Sequence, residues 1–147
     1  MVFTYGSLMF PEVIEIILDR HIASEELRNA VLEDHRRTAI PERPYPTGIR
    51  ASGFCIEGKI LGPITQKELE CLDAYEESFY VRIPVSVRVD GKRQDALAYI
   101  DGRDPLPFAM SEWDPESFER EHLPSFLKKL RVGWSAEERQ FASNKKE

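Results

Sequence analysis

The amino-acid sequence predicts an α+β fold, a mostly antiparallel sheet or barrel flanked by helices. Its segments follow in the order strand, helix, strands, helix, hairpin, helix, which favours helices packed on an antiparallel sheet. The clearest strand covers residues 81–89, where aliphatic residues alternate with polar ones or proline, and Asp90-Gly91 supplies a hairpin turn. The 147 residues fit one domain, which we expect over 1–133 with a loose polar tail over 134–147.

The first third of the chain begins with a strand and a helix. Val2-Phe3-Thr4-Tyr5 is β-branched and aromatic, which predicts a strand that Gly6-Ser7 ends. Pro11 suits the first turn of a helix, expected to run to Arg20 because its apolar residues form one face: Val13, Ile14, Ile17 and Leu18. Segment 24–40 fits either a helix or strands, and the sequence leaves both open.

Proline, glycine and a capping box divide the middle of the chain. An extended loop is predicted by three prolines, which are Pro41, Pro44 and Pro46. Gly58 is expected to interrupt the strands indicated by Phe54, Ile56 and Ile60-Leu61. Thr65 followed by Glu68 is a capping box, so a second helix starts there.

The last third contains the hairpin and a C-terminal helix. Pro84 favours an edge or bulge position in the first hairpin strand, and Asp101-Gly102 turns the chain after the second. Asp114-Pro115 starts the helix, on which one face repeats every four residues: Phe118, His122, Phe126 and Leu130. Pro124 is expected to kink this helix.

Composition excludes several classes of partner. Twenty basic and 26 acidic residues give a net charge of −6, which disfavours nucleic acid as a partner. The sequence has neither an apolar run long enough to span a membrane nor a secretory signal. Two cysteines are too few for a disulfide scaffold. We therefore expect a cytoplasmic protein with no membrane or nucleic-acid partner.

The common reactive arrangements are missing from the sequence. His21, His35 and His122 lack metal-ligand spacing, so we expect neither a metal site nor a cofactor. Ser7 lies in neither a nucleophile elbow nor a phosphate-binding loop, and taken alone it is typical of a turn residue. Cys71 on the second helix is expected to be a buried thiol, with a cysteine-dependent acyltransferase left as a remote alternative.

Glu76 and the Gly6-Ser7 break are the two features that indicate a site. Leu69, Leu72 and Glu76 share one helical stripe, which turns Glu76 toward apolar surroundings where burial raises the pKa of a carboxyl group. If the helix ended at Tyr75, Glu76 would instead be an ordinary solvated residue. Asp73 and Glu77 are expected on the surface. The Gly6-Ser7 break presents free backbone N–H groups, which suit a carboxylate.

Five segments in series carry a family resemblance over roughly residues 1–130: Val2-Phe3-Thr4-Tyr5-Gly6-Ser7-Leu8, Arg43-Pro44-Tyr45-Pro46, Glu57-Gly58-Lys59-Ile60, Leu72-Asp73-Ala74-Tyr75-Glu76 and Tyr80-Val81-Arg82. With these segments and the late Glu112-Trp113-Asp114, the chain resembles the gamma-glutamylcyclotransferase superfamily. It is most similar to the branch of avirulence-induced plant-type proteins and gamma-glutamylamine cyclotransferases.

The resemblance implies a small mixed barrel flanked by helices and an enzyme that releases 5-oxoproline from gamma-glutamyl compounds. By position it makes Glu76 the catalytic glutamate and assigns substrate binding to Tyr5, Gly6, Ser7 and Leu8, with Tyr80 as a further pocket residue. Family members commonly have glycine directly after the catalytic glutamate, and here Glu77 stands in that place.

Such a reaction needs neither metal nor cofactor, because the α-amine of the substrate attacks its own γ-carbonyl. Glu76 is expected to carry the proton from the attacking amine to the leaving amine. The amides of Gly6, Ser7 and Leu8 would bind the α-carboxylate or the oxyanion. The alternative is a non-catalytic module that binds a small ligand or a partner in the same pocket. The loops 41–49 and 102–110 are expected to form the pocket walls.

Overall fold

The computed structural model describes residues 1–134, which form a closed five-stranded barrel with four α-helices outside it. The strands are β1 (Val2–Thr4), β2 (Leu27–Ala39), β3 (Pro46–Leu61), β4 (Tyr80–Val89) and β5 (Lys92–Asp101). The helices are α1 (Pro11–Leu18), α2 (Gln66–Tyr75), α3 (Pro115–Glu121) and α4 (Leu123–Gly133). In the barrel order β1-β3-β2-β4-β5, only the closing β1–β5 pair is parallel. The predicted α+β class and the mostly antiparallel barrel are confirmed.

The longest pairing in the barrel is between β2 and β3, and it resolves the open segment 24–40 as a strand after a short 3-10 helix. A bulge lies between Glu33 and His35, where Asp34 has a positive φ of 58°. Because a bulge changes which face successive side chains occupy, the buried residues do not alternate regularly along β2. This broken alternation is why the sequence pattern fitted two structures.

β3 is one continuous strand, so the predicted interruption at Gly58 is wrong. A Cβ atom at Gly58 would overlap the carbonyl oxygen of Thr4. Glycine here allows β1 to lie close against β3 rather than breaking the strand. Pro46 was expected in the loop but is the first residue of β3, a position where a proline costs no ladder hydrogen bond.

The hairpin β4–β5 agrees with its prediction. Asp90 and Gly91 have positive φ values of 51° and 76°, as a two-residue turn of this kind requires. Pro84 lies opposite Leu97 of β5, whereas β4 and β2 pair at Val31 and Arg88. Pro84 is thus unpaired on its β2 side, as expected for a proline in an edge-like position.

The helices begin where the sequence predicts, but the last one is divided. The Asp114 side chain accepts hydrogen bonds from the N–H groups of Glu116 and Ser117 and so caps α3. The chain breaks at His122, and Pro124 lies in the first turn of α4 rather than at a kink inside one helix. A proline in a first turn removes no intrahelical hydrogen bond.

Two apolar clusters hold the fold together. One joins strand residues such as Phe3, Ile56 and Ile60, and the other packs the helices on the barrel around Leu72 and Phe118. Trp134, the first residue of the predicted polar tail, is only 8% exposed, and its indole N–H donates to the carbonyl oxygen of Ile17 at 3.2 Å. The rest of that predicted tail lies outside the described residues. None of the described helices combines the length and apolar character that crossing a membrane requires.

Candidate functional site

A cavity of about 190 Å³ lies where the chain leaves β1 and where α2 ends. Because β1 is in the barrel wall and α2 packs outside it, the cavity is formed at the junction of the barrel and its helices. The loop before β3 and helix α4 complete the walls. The lining residues are 3–8, Tyr45, Pro46, Tyr75, Glu76, Glu77, Tyr80, Tyr99 and Phe126. All six predicted site residues therefore meet in one cavity.

Glu76 lies at the end of α2 and lines this cavity. The helix ends at Tyr75, as the solvated alternative supposed, and Glu76 has extended backbone angles while its N–H donates to the Leu72 carbonyl oxygen at 3.1 Å. The side chain is nevertheless not an ordinary solvated one. Burial, followed by the negative charges of Glu77 and Asp73, raises the pKa of Glu76 to about 8.

The chain has five tyrosines, and all five line the cavity. Each hydroxyl has a partner within the protein. Four of the five donate their proton to that partner, and their oxygens can still accept a hydrogen bond from a ligand. The partners are the Tyr99 carbonyl oxygen for Tyr5, the Glu77 carboxylate for Tyr45, the Ser7 hydroxyl for Tyr75, the Pro46 carbonyl oxygen for Tyr80 and the Asp73 carboxylate for Tyr99.

Glu76 differs from every other polar side chain that lines the cavity. Thr4, Ser7, Glu77 and the tyrosines all form hydrogen bonds within the protein. Within residues 1–134, no group donates a hydrogen bond to the Glu76 carboxyl. A carboxyl group that faces a cavity without a protein partner is free to exchange a proton with a bound molecule.

The loop after β1 forms another part of the lining. Ser7 opens a short 3-10 helix, Ser7–Met9, which stands between the Gly6 break and α1, so the break does not lead directly into α1. In the described part of the chain, the N–H groups of Gly6, Ser7 and Leu8 have no acceptor. Arg37 donates to the Tyr5 carbonyl oxygen at 3.0 Å and so holds the start of this loop.

The prediction that Asp73 and Glu77 are surface charges is wrong. Both are half-buried. Asp73 accepts hydrogen bonds from Tyr99 and Arg82, and Glu77 accepts one from Tyr45 at 2.7 Å. Their partners come from distant parts of the chain, and no spacing within α2 could have indicated them.

The predicted pocket walls are half right. Tyr45 and Pro46, from segment 41–49, line the cavity, but no residue of 102–110 does. Phe126 of α4 also lines the cavity, and nothing in the sequence indicated it. Tyr45 and Tyr75 were not predicted as site residues either, but both lie in segments that carried the family resemblance.

Cys71 packs in the core around Leu72 and is not among the lining residues. No three His, Cys, Asp or Glu side chains of residues 1–134 are arranged to hold a metal ion.

Comparison with known proteins places this site in a family context. A family model described as "Gamma-glutamyl cyclotransferase, AIG2-like" matches residues 2–115. AIG2-like protein D of Arabidopsis thaliana is 34% identical over 130 residues, which cover 86% of this chain and 84% of the relative. AIG2-like protein A of the same plant is 35% identical, with 86% and 76% of the two chains covered.

Solved structures agree with the fold. The solution structure of an Arabidopsis thaliana protein superimposes with a TM-score of 0.67 at 30% identity, covering 87% of this chain and 85% of that one. A structure titled "Gamma-glutamyl cyclotransferase" superimposes with a TM-score of 0.51, covering 98% and 97% of the two chains. Its identity of 17% supports a shared fold alone.

Proposed function

We propose that this chain, which belongs to the gamma-glutamyl cyclotransferase, AIG2-like family, releases 5-oxoproline from a gamma-glutamyl amine or amino acid. The observation that carries the proposal is the Glu76 carboxyl, which has no hydrogen-bond partner within residues 1–134 and lines a small cavity together with a loop that has free N–H groups in the same part of the chain. A curled gamma-glutamyl group presents an ammonium and a carboxylate, the two charges that such a pair of sites would bind.

Binding would use the two sides of the cavity separately. The N–H groups of Gly6, Ser7 and Leu8 would donate to the α-carboxylate of the substrate or to the oxyanion that forms on its γ-carbonyl. The α-ammonium would lie against Glu76. The tyrosine rings would exclude water and hold the curled conformer, while the leaving amine extends toward the cavity mouth.

The reaction is an internal acyl transfer in which Glu76 moves protons from the attacking nitrogen to the leaving nitrogen. Glu76 accepts a proton from the α-ammonium, and the freed amine attacks the γ-carbonyl carbon to form the C–N bond of a five-membered ring. The tetrahedral intermediate then collapses as the C–N bond to the leaving amine breaks. Glu76 returns the proton to that nitrogen. The ring nitrogen still carries one proton more than the lactam, and it passes this second proton by way of Glu76 to the released amine. The products are 5-oxoproline and the leaving amine in its ammonium form, and no water is consumed.

The raised pKa of Glu76 suits both halves of this cycle. Burial and the charges of Glu77 and Asp73 bring the pKa to about 8, so both protonation states are populated near neutral pH. A general acid or base transfers protons most efficiently when its pKa is near the working pH. A glutamate at its ordinary pKa of 4.5 would be almost fully ionised near neutral pH and would have little proton to donate to an amine.

The proposal is tested with Glu76→Gln, which preserves side-chain size and removes the titrating group. Wild type and variant are incubated with a panel of gamma-glutamyl amino acids and amines, and 5-oxoproline is quantified. Loss of a general acid-base group is expected to lower kcat by about 10²- to 10⁴-fold. Glu25→Gln is the matched control, because Glu25 is exposed and does not line the cavity.

A folded Glu76→Gln variant that forms 5-oxoproline at the wild-type rate would refute the role of Glu76. Wild type that binds members of the panel but forms no 5-oxoproline would instead indicate a non-catalytic binding module. Loss of activity in Cys71→Ser, which we do not expect because Cys71 is not among the lining residues, would indicate a cysteine-dependent reaction.

A further inference from the structure

Glu77 connects the end of α2 to the loop before β3. Its Oε2 atom accepts a hydrogen bond from the Tyr45 hydroxyl at 2.7 Å and lies 3.4 Å from Nε of Arg43. The Glu77 side chain is 34% exposed, and both Glu77 and Tyr45 line the cavity. One carboxylate therefore fixes a wall of the cavity and contributes charge to it.

The backbone around Tyr45 is held independently of Glu77. The Trp113 indole N–H donates to the carbonyl oxygen of Pro44 at 2.7 Å, and the Tyr80 hydroxyl donates to that of Pro46 at 2.6 Å. These two bonds fix the loop on either side of Tyr45. The Tyr45 ring packs edge-on against Phe126 with centroids 6.4 Å apart, so the bond to Glu77 is what fixes its hydroxyl end.

The charged side chains near Glu76 are mainly acidic. The groups that interact with it electrostatically are Glu77 and Asp73 beside it and the tyrosines Tyr5, Tyr75, Tyr80 and Tyr99 from the surrounding elements. The nearby cations are already engaged, Arg82 with Asp73 and Arg43 with Glu77. Among the described residues, no lysine, arginine or histidine lines the cavity.

We infer that Glu77 is a positioning residue for the proposed cyclotransferase reaction, on which this inference rests: it fixes Tyr45 as a wall of the cavity and places a second negative charge beside Glu76. The first effect sets how well the substrate is held, because an aromatic wall of fixed orientation restricts the bound conformer. The second sets the pH at which Glu76 loses its proton, because a neighbouring like charge disfavours the ionised form.

Three variants of the full-length chain separate these effects. Glu77→Gln removes the charge but keeps an oxygen that can accept from Tyr45. Tyr45→Phe removes the hydrogen bond but keeps both the charge and the ring. Glu77→Ala removes the charge and the bond together, and so tests whether the two effects combine.

The measurements are the pH dependence of kcat/KM for 5-oxoproline release and an NMR titration of the ¹³C-labelled glutamate carboxyls. Glu77→Gln is expected to move the acid limb of the profile, and the pKa of Glu76, downward by roughly 1. Tyr45→Phe is expected to raise KM about three- to tenfold, with the acid limb unchanged. Glu77→Ala should show both changes.

The outcomes distinguish this inference from the proposed function. An active wild type, with the acid limb unmoved in Glu77→Gln and KM unmoved in Tyr45→Phe, would overturn the inference and leave the cyclotransferase reaction standing. A wild type inactive on every substrate would overturn the proposed function. In that case the titration still decides: an equal pKa of Glu76 in wild type and Glu77→Gln would exclude the electrostatic effect of Glu77.

Discussion

Replacing Glu76 with glutamine should change how the stability of the protein depends on pH. The folded-state pKa of Glu76 is raised to about 8 from an ordinary value of 4.5, chiefly by burial. Its protonated form therefore stabilises the fold at low pH. This contribution is fully present below the unfolded-state pKa, decreases as pH rises and is lost as pH passes the folded-state pKa. Glutamine cannot ionise, so Glu76→Gln avoids that loss.

The size of the effect follows from the two pKa values. A difference of one in pKa corresponds to about 1.4 kcal/mol. The shift of the Glu76 pKa from 4.5 to about 8 on folding therefore limits the pH-dependent change in the free energy of unfolding to about 5 kcal/mol. About 4 kcal/mol of this change develops between pH 5 and pH 9. Because Glu76 is half-buried and water can enter the cavity, we expect about 2–4 kcal/mol.

The assay is denaturant unfolding of wild type and Glu76→Gln at pH 5, 7 and 9. The free energy of unfolding of the variant, minus that of wild type, should become more positive as pH rises. Titrating groups distant from Glu76 are common to both proteins and cancel in the difference. Glu25→Gln, at an exposed position, should give a difference that does not vary over this range. A constant difference for Glu76→Gln would refute the desolvation of Glu76, whatever the outcome of the activity assay.

Two further predictions concern the residues that hold the barrel and its helices together. Trp134→Ala should lower the free energy of unfolding by about 3–5 kcal/mol, because the indole is buried and donates a hydrogen bond to the Ile17 carbonyl oxygen. Trp134→Phe keeps an aromatic ring, so in the same urea titration it should lower the free energy of unfolding by less than half as much. Burial would raise the pKa of Asp101, but hydrogen bonds from Arg103 and Thr47 outweigh it and hold that pKa below its usual value. Asp101→Asn should therefore cost about 2–4 kcal/mol at pH 7, and the difference from wild type should shrink as pH falls below about 4. A loss that stays the same in acid would contradict the charged state assigned to Asp101.

The sequence predicts elements well where the evidence for them is local. The capping box at Thr65, the cap at Asp114 and the Asp90-Gly91 turn each depend on residues within four positions of one another, and each is confirmed. The prediction at Gly58 failed because a distant strand decides the outcome: this glycine is needed where β1 approaches β3 closely, and it does not interrupt the strand. Segment 24–40 stayed open between helix and strand because the bulge at Asp34 breaks the alternation of β2.

The candidate site also contains residues that local sequence could predict and residues that it could not. The helical stripe places Glu76 correctly relative to the core because Leu72 is buried, even though the helix ends one residue before Glu76. The roles of Tyr45, Phe126 and Tyr99 could not be predicted from spacing, since they reach the cavity from a loop, from α4 and from β5. These residues come together only when the barrel closes and the helices pack on it, and no single segment of the sequence specifies that arrangement.

The position of Glu76 is unfavourable for a charged carboxylate in three independent ways. It is partly shielded from water, it lies beside Glu77 and near Asp73, and it occupies the C-terminal end of α2, where the helix dipole also disfavours negative charge. A glutamate retained only for stability would be expected to gain a hydrogen bond or a cation in return. The neighbouring carboxylates do gain them, from Arg82 and Arg43, but Glu76 gains neither from residues 1–134. An energetic cost concentrated on one unpaired group inside a cavity is typical of a functional site. This contrast with its neighbours therefore favours a role for Glu76 toward a bound molecule over a role in holding the fold.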